Sequence, residues 1–139
     1  IYTLSLHDAL PIFGAVIAVV GLSDREETTS NRVSKEMQAR GYRIIPVNPR
    51  AEGSQIFGET VYASLKDIPF PVDIVDVYRR SEFLPDVARD FLEADAKIFW
   101  AQLGLENEEA EQILRAAGRE DIVMDRCIKR EHTRLILGE

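Results

Sequence analysis

Four short polar segments carry the residue types best suited to binding an anion, and each of them follows an apolar run. They are Gly21-Leu22-Ser23, Asn48-Pro49-Arg50, Tyr78-Arg79-Arg80 and Gln102-Leu103-Gly104. The first segment lies between the apolar run at residues 15–20 and a helical pattern that starts at Ser30. Backbone N–H groups at the start of a helix are unpaired, and the helix dipole favours an anion there. We therefore expect the turn at Gly21 to bind an anionic group such as a phosphate.

Arginine side chains in the same segments strengthen this expectation. Arg50 follows the second apolar run, and Arg79 and Arg80 follow the third. A guanidinium group donates two parallel hydrogen bonds to a phosphate, which the ammonium group of lysine cannot match. The alternative for Arg79 and Arg80 is solvated charge, although the carboxyl end of a central strand favours contact with a ligand.

The apolar runs alternate along the chain with helical patterns. Strands are predicted at residues 16–20, 42–47, 73–78, 97–101 and 122–124, and helices at residues 30–40, 82–94, 106–117 and 127–137. The pair Ser30-Asn31 is expected to cap the first helix and Ser81 the second, and Pro46 indicates an irregular or edge-like strand end. Strands that are apolar at every position are buried on both faces, and their alternation with helices is typical of a parallel sheet. The predicted fold class is α/β, a Rossmann-like, doubly wound, mainly parallel five-stranded sheet with helices on both faces. The predicted strand order is 3-2-1-4-5, which would place the ligand crevice between the first and fourth strands.

Composition restricts the class of partner. The 139 residues fit one domain, and their net charge of −7 argues against nucleic acid and anionic membranes as partners. With a single cysteine, Cys127, the chain cannot form an internal disulfide, and no apolar run reaches the ~20 residues of a membrane helix. A cytoplasmic location is therefore the default expectation.

The first twelve residues differ in character from the rest of the chain. They show no clear period, Pro11 interrupts any helix, and residues 2–12 resemble the translation of a sequencing-library adapter. We interpret residues 1–12 as a non-native or disordered segment, with a natural arm or a short capping helix as the alternative. Residues 13–139 then form a single domain.

The turn after the first strand lacks most of the dinucleotide-binding fingerprint. That fingerprint has three glycines in the pattern G-x-G-x-x-G and an acidic residue roughly 20 positions later. Here serine and glutamate occupy positions 23 and 26, and the segment after the second strand has no acid. Both departures count against NAD. Arg50 would instead suit a ligand with an extra ribose phosphate, such as NADP or coenzyme A.

Six pieces of sequence together resemble one family. They are VVGLS, SNRV, RIIPVNPR, VDIVDVYRR, WAQLG and DRCIKREH, in this order within residues 17–135. The combination resembles the small bacterial and archaeal CoA-binding proteins, whose domain is similar to the CoA-binding domain of the succinyl-CoA synthetase α-subunit. The resemblance implies a Rossmann-like domain that binds coenzyme A or an acyl-CoA, and most members of this family have no established catalytic activity.

The resemblance also implies a role for each segment. Backbone N–H groups of Gly21, Leu22 and Ser23 would bind the pyrophosphate, with a hydroxyl from Ser30 and a cation from Arg32. The other implied contacts are Asn48, Pro49 and Arg50 with the adenosine and its phosphate, Tyr78, Arg79 and Arg80 with the adenine and pyrophosphate, and Gln102, Leu103 and Gly104 with the pantetheine arm. The family often has prolines where this chain has Asp24, Glu26 and Glu27. We expect these three acids to face solvent, because they would repel phosphates.

Cys127 and His132 could suggest a nucleophile and its base. Five residues apart on one predicted helix, they do not share a face well, so no catalytic residue is assigned. The simplest expectation is that Cys127 is a buried, unreactive thiol and that His132 lies at the surface or the core edge. A sharper hypothesis is that Cys127, at a helix start, reacts as a thiolate and forms a mixed disulfide with the thiol of coenzyme A. Soft ligands are too few for a metal site.

Two residues of the predicted strands have structural expectations. Trp100 is expected in the core, because the fourth strand should be buried on both faces. Asp76 is an acid among apolar neighbours and would be costly to bury alone. A hydrogen-bonding role is favoured for it over an acid–base role, since no partner acid is evident.

Other functional classes stay open. One is an NADP(H)-binding oxidoreductase or redox-sensing module, although the predicted crevice offers no convincing proton donor. Another is one half of a ligase that resembles the synthetase subunit, which would need a second domain with an active-site phosphohistidine. A third is a regulatory partner of another protein. Exposed sheet edges would also allow a homodimer.

Overall fold

The computed structural model describes residues 15–138, and its centre is a five-stranded parallel sheet. The sheet strands are β1 (Val16–Val20), β2 (Arg43–Val47), β5 (Val72–Val77), β6 (Ala96–Ala101) and β7 (Ile122–Val123), while β3 (Gln55–Ile56) and β4 (Glu59–Thr60) form a separate antiparallel pair. The helices are α1 (Thr29–Ala39), α2 (Leu84–Glu93), α3 (Glu108–Ala116) and α4 (Ile128–His132), which continues as a π-helical segment over Thr133–Leu137. The predicted α/β class is confirmed, and the interpretation of residues 1–12 lies outside the described residues.

The order of the strands differs from the prediction. The sheet runs β2-β1-β5-β6-β7, which is 2-1-3-4-5 when only the five sheet strands are counted, so the predicted order 3-2-1-4-5 is wrong. The third sheet strand, β5, lies beside β1, with Ile17 level with Ile74 and Val20 level with Val77. Right-handed crossovers permit both orders, and the long connection at residues 48–71 lets the chain pass from β2 back across β1 to its far side. The switch point for ligands therefore lies between β1 and β5.

Alternate side chains of the sheet strands pack into two separate layers. Ile17, Ile74 and Trp100 belong to the layer beneath α1 and α4, while Val75 and Phe99 belong to the layer beneath α2 and α3. Trp100 is fully buried, as expected, and its indole Nε1–H donates to the backbone carbonyl of Arg126 at 2.8 Å. None of the helices within residues 15–138 is long and apolar enough to cross a membrane.

The helix starts differ from the predicted caps. The N-cap of α1 is Thr28, whose hydroxyl accepts from the N–H of Asn31 at 3.4 Å, and not Ser30 or Asn31. Ser81, predicted to cap α2, instead begins a 3₁₀ turn, and its hydroxyl accepts from the N–H of Glu106 at 3.2 Å. The hydroxyl groups of Ser30 and Ser81 instead accept from N–H groups of neighbouring loops, at Ser23 and Glu106, which a local sequence pattern does not reveal.

Candidate functional site

The end of β1 and the turn at Gly21 are hydrogen-bonded to both neighbouring strands, β2 and β5. Gly21 has a positive φ of 89°, and its N–H donates to the carbonyl of Val47 at 2.8 Å. On the other side of β1, the N–H of Tyr78 donates to the carbonyl of Val20, also at 2.8 Å. A Cβ atom at position 21 would lie 2.6 Å from the carbonyl oxygen of Tyr78. Glycine is required here by both its backbone angle and the close approach of the β5 loop.

The start of α1 is tied to the same turn by two buried side chains. The hydroxyl of Ser30 accepts from the N–H of Ser23 at 3.1 Å, and the amide of Asn31 donates to the carbonyl of Ser23 at 2.8 Å. Both side chains are buried. Ser30 thus positions the turn from within the protein, and the N–H of Ser23 is already paired. The acids Asp24, Glu26 and Glu27 are exposed to solvent, as expected.

The loop after β2 is fastened to the Gly21 turn by Asn48. Its side-chain amide donates to the carbonyl of Leu22 at 3.1 Å, and its side-chain oxygen accepts from the N–H of Arg50 at 3.0 Å. The second contact starts the 3₁₀ turn Pro49–Ala51. The result is an exposed Arg50 on a short turn that cannot move independently of the β1 loop.

Two cavities open at the carboxyl ends of the strands. The α2 cavity, of about 590 Å³, lies between the β2 loop and α2, and its walls include Gly21, Asn48, Pro49, Arg50, Phe83 and Asp90. The α4 cavity, of about 620 Å³, lies between α1, the β6 loop and the start of α4, and its walls include Arg32, Val33, Gln102, Leu103, Cys127, Lys129 and Arg130. Tyr78, Arg79 and Arg80 contribute to both walls and form the boundary between them. Each volume is typical of a small-molecule site.

Basic side chains are concentrated on these walls. The described residues that line the α4 cavity include five basic side chains and no acidic one, namely Arg32, Arg79, Arg80, Lys129 and Arg130. The α2 cavity has Arg50 beside the same arginine pair, and one acid, Asp90. The guanidinium of Arg79 stacks on the ring of Phe83 at 4.4 Å from the centroid. In a chain with a net charge of −7, this distribution makes the carboxyl ends of the strands locally basic.

A buried polar chain lies behind the α4 cavity. Asp76 is 1% exposed, and its carboxylate accepts a hydrogen bond from the side-chain Nε2 of Gln102. The other end of that amide, Oε1, accepts from the backbone N–H of Ile128 at 3.4 Å. Burial raises the pKa of Asp76 to about 7, and the bond from Gln102 opposes this effect. Asp76 thus has the hydrogen-bonding role expected for it.

Tyr78 brings a hydroxyl group into the same region. Among the described residues, no hydrogen-bond partner is found for this buried hydroxyl. Burial, followed by the nearby Asp76 and Cys127, raises the pKa of the Tyr78 phenol. The phenol therefore stays protonated at neutral pH and does not act as a base.

His132 is not part of the cavity walls. Its ring is buried, packs edge-on against Tyr42 with centroids 5.5 Å apart, and places Nδ1 3.0 Å from Nη1 of Arg40. Arginine can only donate, so Nδ1 is the acceptor and the ring is neutral. Burial and the charge of Arg40 both lower the pKa of His132. These contacts assign His132 to the core edge, whereas Cys127 lines the α4 cavity.

Most predicted site residues meet at the two cavities, but a few do not. Four predicted residues in the described part of the chain lie outside both sets of walls, namely Leu22, Ser23, Ser30 and Gly104. Leu22 is fully buried, and the N–H of Gly104 donates to the side chain of Asp125 at 2.7 Å. Sequence reasoning missed Phe83, Lys129 and Arg130. The signals available were an aromatic residue three positions after Arg80 and a basic pair inside the piece DRCIKREH.

Within residues 15–138, no three side chains of histidine, cysteine, aspartate or glutamate are grouped so as to hold a metal ion. The charged side chains on the two sets of cavity walls are guanidinium and ammonium groups and one carboxylate, that of Asp90.

Comparison with known proteins identifies the family. The sequence profile described as CoA binding domain matches residues 15–133. The chain is 58% identical over 116 residues to the uncharacterized protein YneT of Bacillus subtilis (strain 168), covering 84% of each protein. It is similar to the solved structure of cell-free ID.343 from Thermus thermophilus, with a TM-score of 0.84 and 38% identity over 88% of this chain and 91% of that one. It is also similar to a hypothetical protein from Pyrococcus horikoshii OT3, with a TM-score of 0.86 and 32% identity over 94% and 89% of the two chains. The chain is a member of the CoA binding domain family.

Proposed function

We propose that this protein binds coenzyme A, or an acyl-CoA, at the carboxyl ends of the sheet strands and does so without catalysing a reaction. The observation that carries the proposal is the concentration of arginine and lysine side chains on two adjoining cavities of an acidic chain. Coenzyme A has separate anionic groups, the pyrophosphate and the ribose phosphate, and a long uncharged arm. A ligand of that shape needs two connected compartments, with cations at one end and between them.

The α2 cavity suits the adenosine end. Arg50 is exposed on its turn, and within residues 15–138 its guanidinium makes no hydrogen bond or ion pair, so it can bind the ribose phosphate. Asn48 holds that turn against the β1 loop. Gly21 also lines this cavity, at the switch point between β1 and β5.

The shared wall suits the pyrophosphate, and the α4 cavity suits the arm. Arg79 and Arg80 lie between the two cavities, and Arg32 lies on the α4 side. Leu103 is 54% exposed on the wall of the α4 cavity, and an apolar arm lying across it would bury this side chain. Cys127 is on the same wall, where the terminal thiol or thioester of the arm would arrive.

The absence of catalysis is proposed from the state of the titratable groups. Asp76 lies behind the cavity wall rather than on it, and the ring of His132 is occupied by Arg40 and Tyr42. The raised pKa of Tyr78 makes the phenol a poor base. An NADP-dependent reaction would need a proton donor or acceptor at the substrate, and these three groups do not supply one.

Isothermal titration with coenzyme A and with NADPH, together with thermal unfolding in each ligand, tests this proposal. Coenzyme A should bind and should stabilise the folded state, by about 2.7 kcal/mol at one hundred times its dissociation constant. NADPH should bind at least tenfold more weakly (a difference of about 1.4 kcal/mol). Tighter binding of NADPH would favour the redox alternative, and binding of neither ligand would overturn the proposal. Mass spectrometry of the ligand retained on purification would show whether an acyl group is carried.

A further inference from the structure

A carboxylate in the middle of β5 requires an explanation, because it lies in the most buried part of the sheet. Asp76 is level with Val19 of β1 and with Trp100 of β6, and it is flanked in sequence by the buried Val75 and Val77. It lies outside the walls of both cavities, so it cannot touch a ligand there. Burying an acid at such a position costs stability unless the acid does something that an apolar residue cannot do.

What the carboxylate does is determine the orientation of Gln102. A side-chain amide has one donating end and one accepting end, the carboxyl group of Asp76 offers an acceptor oxygen whether or not it is protonated, and a backbone N–H can only donate. Gln102 is 4% exposed and lies between Asp76 and the N–H of Ile128. The acceptor on one side therefore requires Nε2 to face Asp76, which leaves Oε1 to face Ile128.

The contact with Ile128 matters because it is made at the first residue of α4. The first N–H groups of a helix have no partner within the helix and need an acceptor from elsewhere. Cys127, the residue at the N-cap position, makes no side-chain capping bond. Gln102 supplies an acceptor across the gap from the β6 loop. The same start of α4 carries Lys129 and Arg130 on the wall of the α4 cavity.

We propose that Asp76 is a positioning residue for the arm of the ligand: it orients the amide of Gln102, and Gln102 holds the start of α4 as one wall of the α4 cavity. If the amide turned round, Nε2 would face the N–H of Ile128, and two donors would oppose each other. The α4 start would then move away from the β6 loop, and the cavity would lose its shape while the α2 cavity stayed intact. The inference rests on the proposed function for the identity of the arm, but the hydrogen-bond relay itself does not depend on a ligand.

Two substitutions with the same branched arrangement of heavy atoms separate this role from a general effect on folding. Asp76→Asn keeps an oxygen acceptor facing Gln102, whereas Asp76→Leu replaces the two polar atoms by bulkier methyl groups and has no acceptor. The probes are coenzyme A and 3′-phospho-ADP, which has the adenosine and its phosphates but lacks the arm. Asp76→Leu should weaken the binding of coenzyme A about tenfold, as expected for one lost buried hydrogen bond. It should weaken the binding of 3′-phospho-ADP less than about twofold. Asp76→Asn should bind both probes within about twofold of the wild type.

Three titration results would overturn the inference. They are unchanged binding of coenzyme A by Asp76→Leu, an equal loss for both probes, and a loss in Asp76→Asn as large as that in Asp76→Leu. Hydrogen exchange at the Ile128 amide, measured by NMR without ligand, tests the relay directly. Exchange should be faster in Asp76→Leu and in Gln102→Met, and similar to the wild type in Asp76→Asn. If Asp76→Leu does not fold, Gln102→Met replaces it in the exchange measurement. Unchanged exchange at the Ile128 amide in Gln102→Met would overturn the inference. Wild-type protein that fails to bind coenzyme A would overturn the proposed function but not this relay.

Discussion

The backbone of Gly21 lies directly against the carbonyl oxygen of Tyr78, so closely that a Cβ at position 21 would be 2.6 Å from that oxygen. The contact joins the loops that follow β1 and β5, which are the two sides of the switch point. The same glycine has a positive φ of 89°. Two independent requirements therefore exclude a side chain here, and both concern how the two loops that border the α2 cavity fit together.

Gly21→Ala should destabilise the protein more than a glycine substitution that meets only one of these requirements. Gly53 is the matched control, because its φ is 84° and nothing lies within 4 Å of an added Cβ. Gly53→Ala should cost about 1 kcal/mol, from the backbone angle alone. Gly21→Ala should cost about 3 kcal/mol or more, since the added Cβ also clashes with backbone that cannot move freely. Urea unfolding of both variants measures the difference. Equal losses in the free energy of unfolding would show that the β5 loop can move away from the added Cβ without destabilising the protein.

Arg50→Ala should weaken the binding of coenzyme A more than that of dephospho-CoA, which lacks the ribose phosphate. A charge-assisted bidentate contact to phosphate contributes about 1.5–3 kcal/mol, so a loss of roughly tenfold to a hundredfold is expected for coenzyme A. Arg115→Ala is the control, because Arg115 pairs with Glu111 on α3, away from the cavity walls. Isothermal titration of both ligands gives the comparison. Equal losses of affinity for the two ligands would show that Arg50 does not contact the ribose phosphate.

Asp76 should make the stability of the protein fall as the pH rises from about 4 to about 8. Its pKa is about 7 in the folded protein, against 3.8 ordinarily, so the folded state holds a proton that the unfolded state releases. The resulting stability is fully present below the unfolded pKa and is lost as the pH rises through the folded pKa. Over this range the loss should be on the order of 2–4 kcal/mol.

The measurement compares urea unfolding of the wild type and Asp76→Asn across this pH range. All other titrating groups are common to both proteins, so the difference in unfolding free energy isolates Asp76. The amide of Asn does not titrate and can still accept a hydrogen bond from Gln102. The unfolding free energy of the variant should therefore increase relative to that of the wild type as the pH rises. A difference that is flat with pH would show that Asp76 ionises in the folded state near its ordinary pKa.

Cys127 should form a mixed disulfide when the protein is exposed to CoA disulfide. The Cys127 thiolate attacks one sulfur of the disulfide, so that one S–S bond breaks, another forms, and one molecule of coenzyme A leaves as its thiol. Intact mass should increase by one coenzyme A per chain and return to its original value with dithiothreitol. Oxidised glutathione, a disulfide without the nucleotide, should react more slowly if the cavities recognise the ligand.

The matched variant is Cys127→Ser, which removes the one cysteine of the chain and keeps a side chain of similar size. It should show no adduct. An adduct that survives this substitution, or no adduct in the wild type, would leave Cys127 as an inert thiol on the wall of the α4 cavity.

The strands and helices, and most of the residues at the carboxyl ends of the strands, could be predicted from the sequence. Runs such as Val16–Val20 are apolar at every position because both faces of a central parallel strand are covered, and this signal is local. The positions of Arg50, Arg79 and Arg80 follow from the same reasoning, because a residue just after a parallel strand must lie at the ligand edge of the sheet. Pro46 likewise indicated an edge-like strand, and β2 is at the edge.

Only the tertiary structure decided how these elements meet. Right-handed connections are compatible with both strand orders, so the pairing of β1 with β5 depends on long-range packing that no local pattern records. The bond from Ser23 to Ser30, and the amide of Gln102 between Asp76 and Ile128, likewise join residues whose side chains could have bonded elsewhere. The sequence by itself determined which residues reach the ligand edge, because strand burial is a local property. The partner of each polar group was decided by the fold, because a buried donor pairs with whichever acceptor the packing brings within reach.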